Sequence, residues 1–289
     1  MNTTATLIWH AFLQSAPASM RDALNRSVTT ELLKEIESSA SAPESLLKEG
    51  KGEDEVLRVH YSWFAPFLRS QRESDIKLFL GCLAPEQVKG LKAMLLLSNS
   101  VPTPASTAME FLRKSLWEAL TSEEIIPVSY LPASPLNALL DLSYNGLNSL
   151  IELLSMHDLS VEIRHIIETS KIKKIYSVLT KAQATFLKTL LHKKEAVTFK
   201  KMGLINWKMD TDSLRHMLTQ RGLNRIAKAL HRCPPSLLWH AAHRLDAEKG
   251  AMLMNLCTPL DHPRAAALLT DQVSELALAI KTHNPTLNP

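Results

Sequence analysis

The sequence predicts an all-α protein, and three observations carry that prediction. Only 8 of the 289 residues are glycine, so few positions favour the positive φ angles that tight β-hairpin turns require. Leu, Ala, Lys, Glu and Met, which favour helices, are frequent. Apolar residues recur three and four positions apart, as they do on one face of a helix. The short helices show no fixed repeat, so we expect an irregular stack of short helical hairpins, with two helical bundles as the alternative.

Breaks in the helical pattern divide the chain into two predicted domains. Residues 125–135 contain β-branched residues and three prolines, a composition that favours an extended segment crossing between domains. We therefore expect an N-terminal helical domain over residues 1–124 and a C-terminal helical domain over residues 136–281. A frayed tail is expected at 282–289. The pattern over residues 197–207 is ambiguous and is also compatible with a short pair of strands.

Positive charge is concentrated in one part of the predicted C-terminal domain. The chain has a net charge of +4, but residues 165–233 contain fifteen Lys or Arg and four Asp or Glu, a net +11. On a helix, Arg221, Arg225, Lys228 and Arg232 would share one face because they are spaced by four, three and four residues. A charge of this size can attract an acidic partner, a nucleic acid or an anionic membrane. The alternative is a solvated helix face without a partner.

We predict that this basic region binds a protein with an acidic surface. The candidate partner-binding residues are the four members of the predicted basic face and two nearby lysine pairs: Arg221, Arg225, Lys228, Arg232, Lys173, Lys174, Lys193 and Lys194. Nucleic-acid binding is the alternative function, although no zinc-finger, RRM or convincing helix-turn-helix pattern is present. Aromatic residues are also sparse between the lysines, whereas single-strand binding surfaces stack bases on aromatic rings.

No residue pattern indicates catalysis, so we expect a non-enzymatic scaffold or adaptor without a cofactor. The sequence contains neither the Gly-x-Ser-x-Gly elbow of a serine nucleophile nor a glycine-rich phosphate loop. One cluster has metal-ligating residue types, namely His231, Cys233, His240 and His243. Its spacing matches no closed zinc site. Helix packing is therefore the preferred interpretation and no metal ligand is assigned, while zinc binding stays open as the alternative.

Two stretches resemble the helix-turn-helix units of the flagellar motor switch protein FliG. Residues 79–88, Phe-Leu-Gly-Cys-Leu-Ala-Pro-Glu-Gln-Val, are similar to turns in which Leu-x-Pro-Glu joins two short helices. Residues 221–230, followed by Leu245-Asp246, are similar as well. In size and helical character the whole chain also resembles the SctK class of cytosolic adaptors of type III secretion systems. This resemblance implies a non-enzymatic adaptor between the inner-membrane ring and the cytosolic sorting platform. The Glu-His-Pro-Gln motif of FliG is absent from the sequence, so no residue role is carried over.

The location expected from the sequence is the cytoplasm, where the protein could attach peripherally to the inner membrane. Three widely spaced cysteines do not indicate a disulfide framework. The longest apolar run, near residues 93–97, is far shorter than the roughly 20 residues of a membrane-spanning helix. No transmembrane segment is therefore expected.

Overall fold

The structure is a computed structural model that describes residues 55–97, 100–121, 125–260 and 263–283. The first 54 residues of the predicted N-terminal domain and the part of the predicted tail after residue 283 lie outside the described residues. Within the described ranges the chain is helical and contains no strand, which confirms the all-α prediction. No helix in these ranges is long and apolar enough to cross a membrane.

Eleven α-helices, α1 to α11, make up most of the described chain. In order they are α1 (Ala65–Arg69), α2 (Glu73–Gly81), α3 (Pro85–Leu95), α4 (Ser106–Leu120), α5 (Tyr144–Ile163), α6 (Thr169–Val178), α7 (Lys181–Leu191), α8 (Thr211–Leu230), α9 (Pro235–His243), α10 (Ala247–Leu256) and α11 (Pro263–His283). Short 3₁₀ turns lie at Val56–Arg58, Tyr61–Trp63, Val128–Tyr130, Pro135–Asp141 and Leu204–Asn206. Residues 197–207 therefore form no strand pair. The first two residues of the predicted tail, 282 and 283, belong to α11.

Local sequence explains where several helices begin. Proline occupies the first position of α3, α9 and α11, where its missing N–H costs no helical hydrogen bond. At α7, Thr180 Oγ1 accepts a hydrogen bond from the Gln183 amide, and Gln183 Oε1 accepts one from the Thr180 amide. At α8, the Asp210 carboxylate accepts hydrogen bonds from the amides of Asp212 and Ser213. These caps fix the start of α7 and α8, which both lie in the basic segment 165–233.

Three clusters of buried apolar side chains form the core. The first cluster holds α1 to α4 together and includes Leu80. The second lies between α5, α8, α9, α10 and α11 and includes Ile226. The third, which we call the third core, joins the C-terminal half of α5 to α6, α7 and the first half of α8 through Met156, Ile175 and Leu187. Helices α5 and α8 contribute to both the second and the third cluster, so they connect the two.

The close crossing of α5 and α8 depends on Gly222. A Cβ atom at this position would overlap the carbonyl oxygen of Ile151 on α5, so glycine lets the two backbones approach one another. Leu223, Ile226 and Leu230 are buried on the same helix, as the helical spacing predicts. This crossing sets the position of the half of α8 that carries Arg225.

An aromatic sandwich joins the first core cluster to the C-terminal helices. The His243 ring stacks between Trp63 and Trp239, with centroid distances of 4.0 and 3.8 Å. Trp63 Nε1 donates a hydrogen bond to the Leu245 carbonyl at 2.9 Å. Burial lowers the pKa of His243 to about 4, and the hydrogen bond to the Trp239 carbonyl offsets only part of that effect. The ring is therefore neutral at pH 7 and serves packing.

Candidate partner-binding surface

Arg225 is buried, so the prediction that it lies on an exposed basic face is wrong. Its side chain is 0% exposed. Helical spacing places it on the same side as its basic neighbours, but other helices cover α8 at the position of Arg225. The reason is that α5, α10 and α11 all pack against α8, and its second half is buried on most of its circumference.

The other three members of the predicted face do not form one exposed surface either. Arg221 and Lys228 are half-buried, and Lys228 Nζ donates a hydrogen bond to the Thr258 carbonyl at 3.1 Å. Arg232 is exposed, but it lies beyond Leu230, the last residue of α8. The α8 residues of the predicted face therefore do not form an exposed basic surface, and most of the exposed lysines of residues 165–233 lie outside this helix.

The Arg225 guanidinium is the centre of a buried ion network. Its Nε and Nη2 donate to the Asp158 carboxylate at 3.2 and 2.9 Å. Its Nη1 donates to Glu195 Oε1 at 3.2 Å and to Gln272 Oε1 at 2.8 Å. A further bond runs from Nη2 to the Val197 carbonyl at 3.0 Å. All five N–H donors of the guanidinium thus have an acceptor, which is the condition for burying an arginine.

Glu195 is the second carboxylate of this network and is held in its ionised form. Its side chain is 6% exposed. His157 Nδ1 donates to Oε2 at 2.7 Å, and Gln272 Nε2 donates to Oε1 at 3.0 Å. Burial alone would raise the pKa of the Glu195 carboxyl. The hydrogen bond and charge of His157, followed by the charge of Arg225, outweigh burial and lower this pKa to about 2.

The network fastens residues 192–204, which we call the strap, onto α5 and α8. Two strap residues bind the buried guanidinium directly, as described above. A second attachment is the Glu162 carboxylate on α5, which accepts hydrogen bonds from the amides of Met202 and Leu204 at 2.8 and 3.4 Å. The Phe199 ring also lies 5.5 Å from the guanidinium carbon. The strap is an irregular segment whose backbone position is set by buried charges.

Eight exposed lysines lie on the strap, α6 and α7, and we call them together the lysine surface. They are exposed and comprise Lys173, Lys174, Lys181, Lys188, Lys193, Lys194, Lys200 and Lys201. None of them forms an ion pair with a carboxylate of the described residues. If the buried Arg225 and Glu195 are left out, the 165–233 segment still has fourteen basic and three acidic residues, a net +11.

Sequence reasoning assigned four of these eight lysines as binding residues, and all four are exposed. The other four, Lys181, Lys188, Lys200 and Lys201, belong to the same local excess of charge. Local charge therefore indicates all eight lysines. Helical spacing indicates the arginines of α8 instead, but it does not show what packs against a helix.

Packing contacts account for His240 and His243, the two members of the predicted metal-ligating cluster that lie on α9. His240 Nε2 donates a hydrogen bond to the Ile126 carbonyl at 2.8 Å, and Ser236 Oγ accepts one from the Ile126 amide at 3.1 Å. His243 lies in the aromatic sandwich. Across the part of the chain that the structure describes, no group of three His, Cys, Asp or Glu side chains is placed to hold a metal ion. His240 and Ser236 therefore tie the 125–135 segment to α9, and His243 ties the first core cluster to the same helix.

No family model, no curated protein and no solved structure matches this chain.

Proposed function

We propose that this protein is a non-enzymatic adaptor that docks an acidic protein partner through the lysine surface. The supporting observation is the contrast between its two kinds of basic residue. The buried Arg225 is neutralised by carboxylates, whereas the eight exposed lysines have no carboxylate partner among the described residues. This concentration of like charge within residues 173–201 would attract an acidic partner, and binding would reduce the repulsion among the lysines.

The strap makes part of this surface rigid before a partner binds. Lys193, Lys194, Lys200 and Lys201 all lie on the strap, whose backbone is held by the buried network and by Glu162. A surface that is already ordered loses less conformational entropy on binding than a flexible loop would. Arg225 is buried and does not contact the partner itself. It supports docking indirectly, because it holds the backbone of the strap that carries the exposed lysines.

We also propose that the adaptor acts at the cytoplasmic face of a type III secretion apparatus. The support is the resemblance of the chain to FliG-like and SctK-class proteins. Residues 79–88 comprise the end of α2, a short turn and the start of α3 at Pro85, an arrangement compatible with that resemblance. The partner would then be a protein of the secretion ring or the sorting platform that has an acidic surface.

Binding assays with charge-reversal variants test the proposal. Each ring and sorting-platform protein from the same genome is tested separately for binding to the purified chain. The variant with Lys173, Lys174, Lys193 and Lys194 changed to Glu should bind its partner at least about tenfold more weakly at low salt. The control variant changes Lys89 and Lys114, exposed lysines of α3 and α4, to Glu and should bind like the wild type.

Three outcomes would contradict parts of the proposal. Equal binding by the two variants would remove the lysine surface as the docking site. Binding only to acidic proteins unrelated to secretion would leave docking intact and remove the proposed setting. Salt-sensitive binding to nucleic acid in a gel-shift assay, with no protein partner, would favour the alternative ligand.

A further inference from the structure

We infer that the end of the molecule where α5 terminates binds an anionic phospholipid bilayer. In this inference exposed aliphatic side chains insert between the lipid headgroups while lysines lie over the phosphates. We call this region the α5-end surface, and it comprises Ile167, Ile205, Met209, Lys201 and Lys208. The inference goes beyond the proposed function, because it concerns a lipid contact that does not depend on a protein partner.

Three large apolar side chains at this end are exposed to solvent. Ile167 is 95% exposed, Ile205 53% and Met209 41%. Single exposed aliphatic residues are common on protein surfaces. A group of them at one end of a molecule is less common and marks an interaction site.

Hydrogen bonds show that these residues lie together although they are distant in sequence. Lys171, in the first turn of α6, donates to the Ile205 carbonyl at 2.5 Å. The same lysine pairs at 3.0 Å with Glu168, which directly follows the most exposed isoleucine. In the last turn of α5, the Glu162 carboxylate accepts a hydrogen bond from the Leu204 amide. The turn after α5, the start of α6 and the 3₁₀ turn at Leu204–Asn206 therefore meet at one place.

Buried neighbours hold the exposed residues of this end in an outward position. Leu204 and Trp207 belong to the third core, and Trp207 Nε1 donates a hydrogen bond to the Asp210 carbonyl at 2.9 Å. Ile205 and Met209 flank these anchors and face solvent. Met209 has a φ of 61°, an uncommon conformation for a residue with a side chain. Buried side chains and the hydrogen bond of Trp207 thus anchor the backbone of the loop while Ile205 and Met209 stay exposed.

The chemistry of the α5-end surface fits a bilayer better than a protein groove. Its exposed basic residues are Lys201 and Lys208, and they lie close in sequence to exposed aliphatic side chains, not among the exposed aromatic residues that are enriched in protein interfaces. Lysines beside protruding aliphatic side chains are typical of proteins that lie on anionic membranes. The nearby carboxylates all have partners within the fold, since Glu162 accepts backbone amides, Glu168 pairs with Lys171 and Asp210 caps α8. Among the described residues, the charges that remain free to meet an anionic lipid surface there are those of Lys201 and Lys208.

Vesicle flotation of the full chain tests this inference. The probe is a phosphatidylcholine vesicle with or without phosphatidylglycerol. We expect binding to the phosphatidylglycerol vesicles at about 0.1 M salt, release at about 1 M salt, and little binding to phosphatidylcholine alone. Changing Ile167 and Ile205 to Ser should lower the partition coefficient about tenfold or more. Changing Lys201 and Lys208 to Gln should lower it about fivefold for each lysine.

Matched controls come from exposed residues elsewhere in the fold. Leu278→Ser on α11, where the leucine is 52% exposed, and Lys89→Gln on α3 should float like the wild type. All substituted side chains are exposed, so unchanged circular dichroism and melting temperature are expected. Ile167→Ser alone, at the most exposed position, provides a second variant if the double substitution alters folding.

Several results would overturn the inference. Wild-type protein that does not float with phosphatidylglycerol vesicles at low salt would end it. Flotation that the isoleucine substitutions leave unchanged would show electrostatic adsorption without insertion. If the wild type bound no vesicles and the isoleucine variant lost binding to the protein partner, the α5-end surface would be a protein-binding site instead. The charge-reversal variant used for partner binding keeps both lysines of the α5-end surface, so failure of the adaptor proposal is seen separately.

Discussion

Replacing Arg225 with methionine should lower the free energy of unfolding by about 3–5 kcal/mol, the usual cost of removing one partner of a buried ion pair. The reason is that the Asp158 and Glu195 side chains, 7% and 6% exposed, would stay buried without the charge of Arg225. Glu195 would keep only its contacts with His157 and Gln272. Methionine fills most of the volume of the arginine stem, so the loss would be mainly electrostatic. Domains have stabilities of about 5–15 kcal/mol, so a loss of this size is a large fraction of the total and is readily measured.

Urea unfolding, followed by circular dichroism, measures this loss. Hydrogen exchange provides a local readout, because the strap should exchange faster in the variant than in the wild type, whereas α1 to α4 should exchange at similar rates. Adding Asp158→Leu and Glu195→Met to Arg225→Met should restore much of the stability. Apolar replacement of a whole buried ion network is often neutral or stabilising.

Arg215→Met on the same helix is the control. Arg215 Nη1 lies 3.4 Å from Asp212 Oδ1, but the two side chains are 65% and 87% exposed. Solvent screening makes such pairs weak, so this variant should lose less than about 1 kcal/mol. If Arg225→Met cost no more than Arg215→Met, the reasoning about the buried network would be refuted.

Three further perturbations test other parts of the structure. The folded-state pKa of Glu195, about 2 against a reference of 4.5, provides stability that is present above pH 4.5 and lost as the pH falls towards 2. Glu195→Gln should therefore flatten acid unfolding in that window, where about 3 kcal/mol is at stake. His243, with a folded pKa of about 4 against 6.5, should make stability fall by about 3 kcal/mol between pH 6.5 and 4, and His243→Phe should remove this dependence. Gly222→Ala should cost about 1–3 kcal/mol in urea unfolding through overlap with Ile151. Stabilisation by Gly222→Ala, which is the usual effect of alanine at an open position inside a helix, would contradict the close helix crossing.

Helix content and the apolar core positions of α8 were predictable from the sequence. Leu223, Ile226 and Leu230 follow helical spacing, and they are buried. The prediction works because an amphipathic pattern is a local property of the chain. Exposure of Lys173 and Lys193 could be expected for a similar reason, since lysine is seldom buried without a partner.

The burial of Arg225 was not predictable from local pattern. Its acceptors come from elsewhere in the chain: Asp158 is 67 residues away and Gln272 is 47 residues away. Spacing shows which residues share a face of α8, but only the tertiary packing of α5 and α11 shows what covers that face. The position of the strap depends on the same long-range contacts, which is why residues 197–207 were ambiguous.

The most direct test of the central claim is site-specific photo-crosslinking in the native host cell. A photoreactive residue replaces Lys174 or Lys193 on the lysine surface, and in parallel Lys89 or Lys114 on α3 and α4. The account predicts that one acidic protein crosslinks from positions 174 and 193 and not from 89 or 114. Crosslinks from 89 or 114, with none from 174 and 193, would contradict the claim that the lysine surface is the docking site.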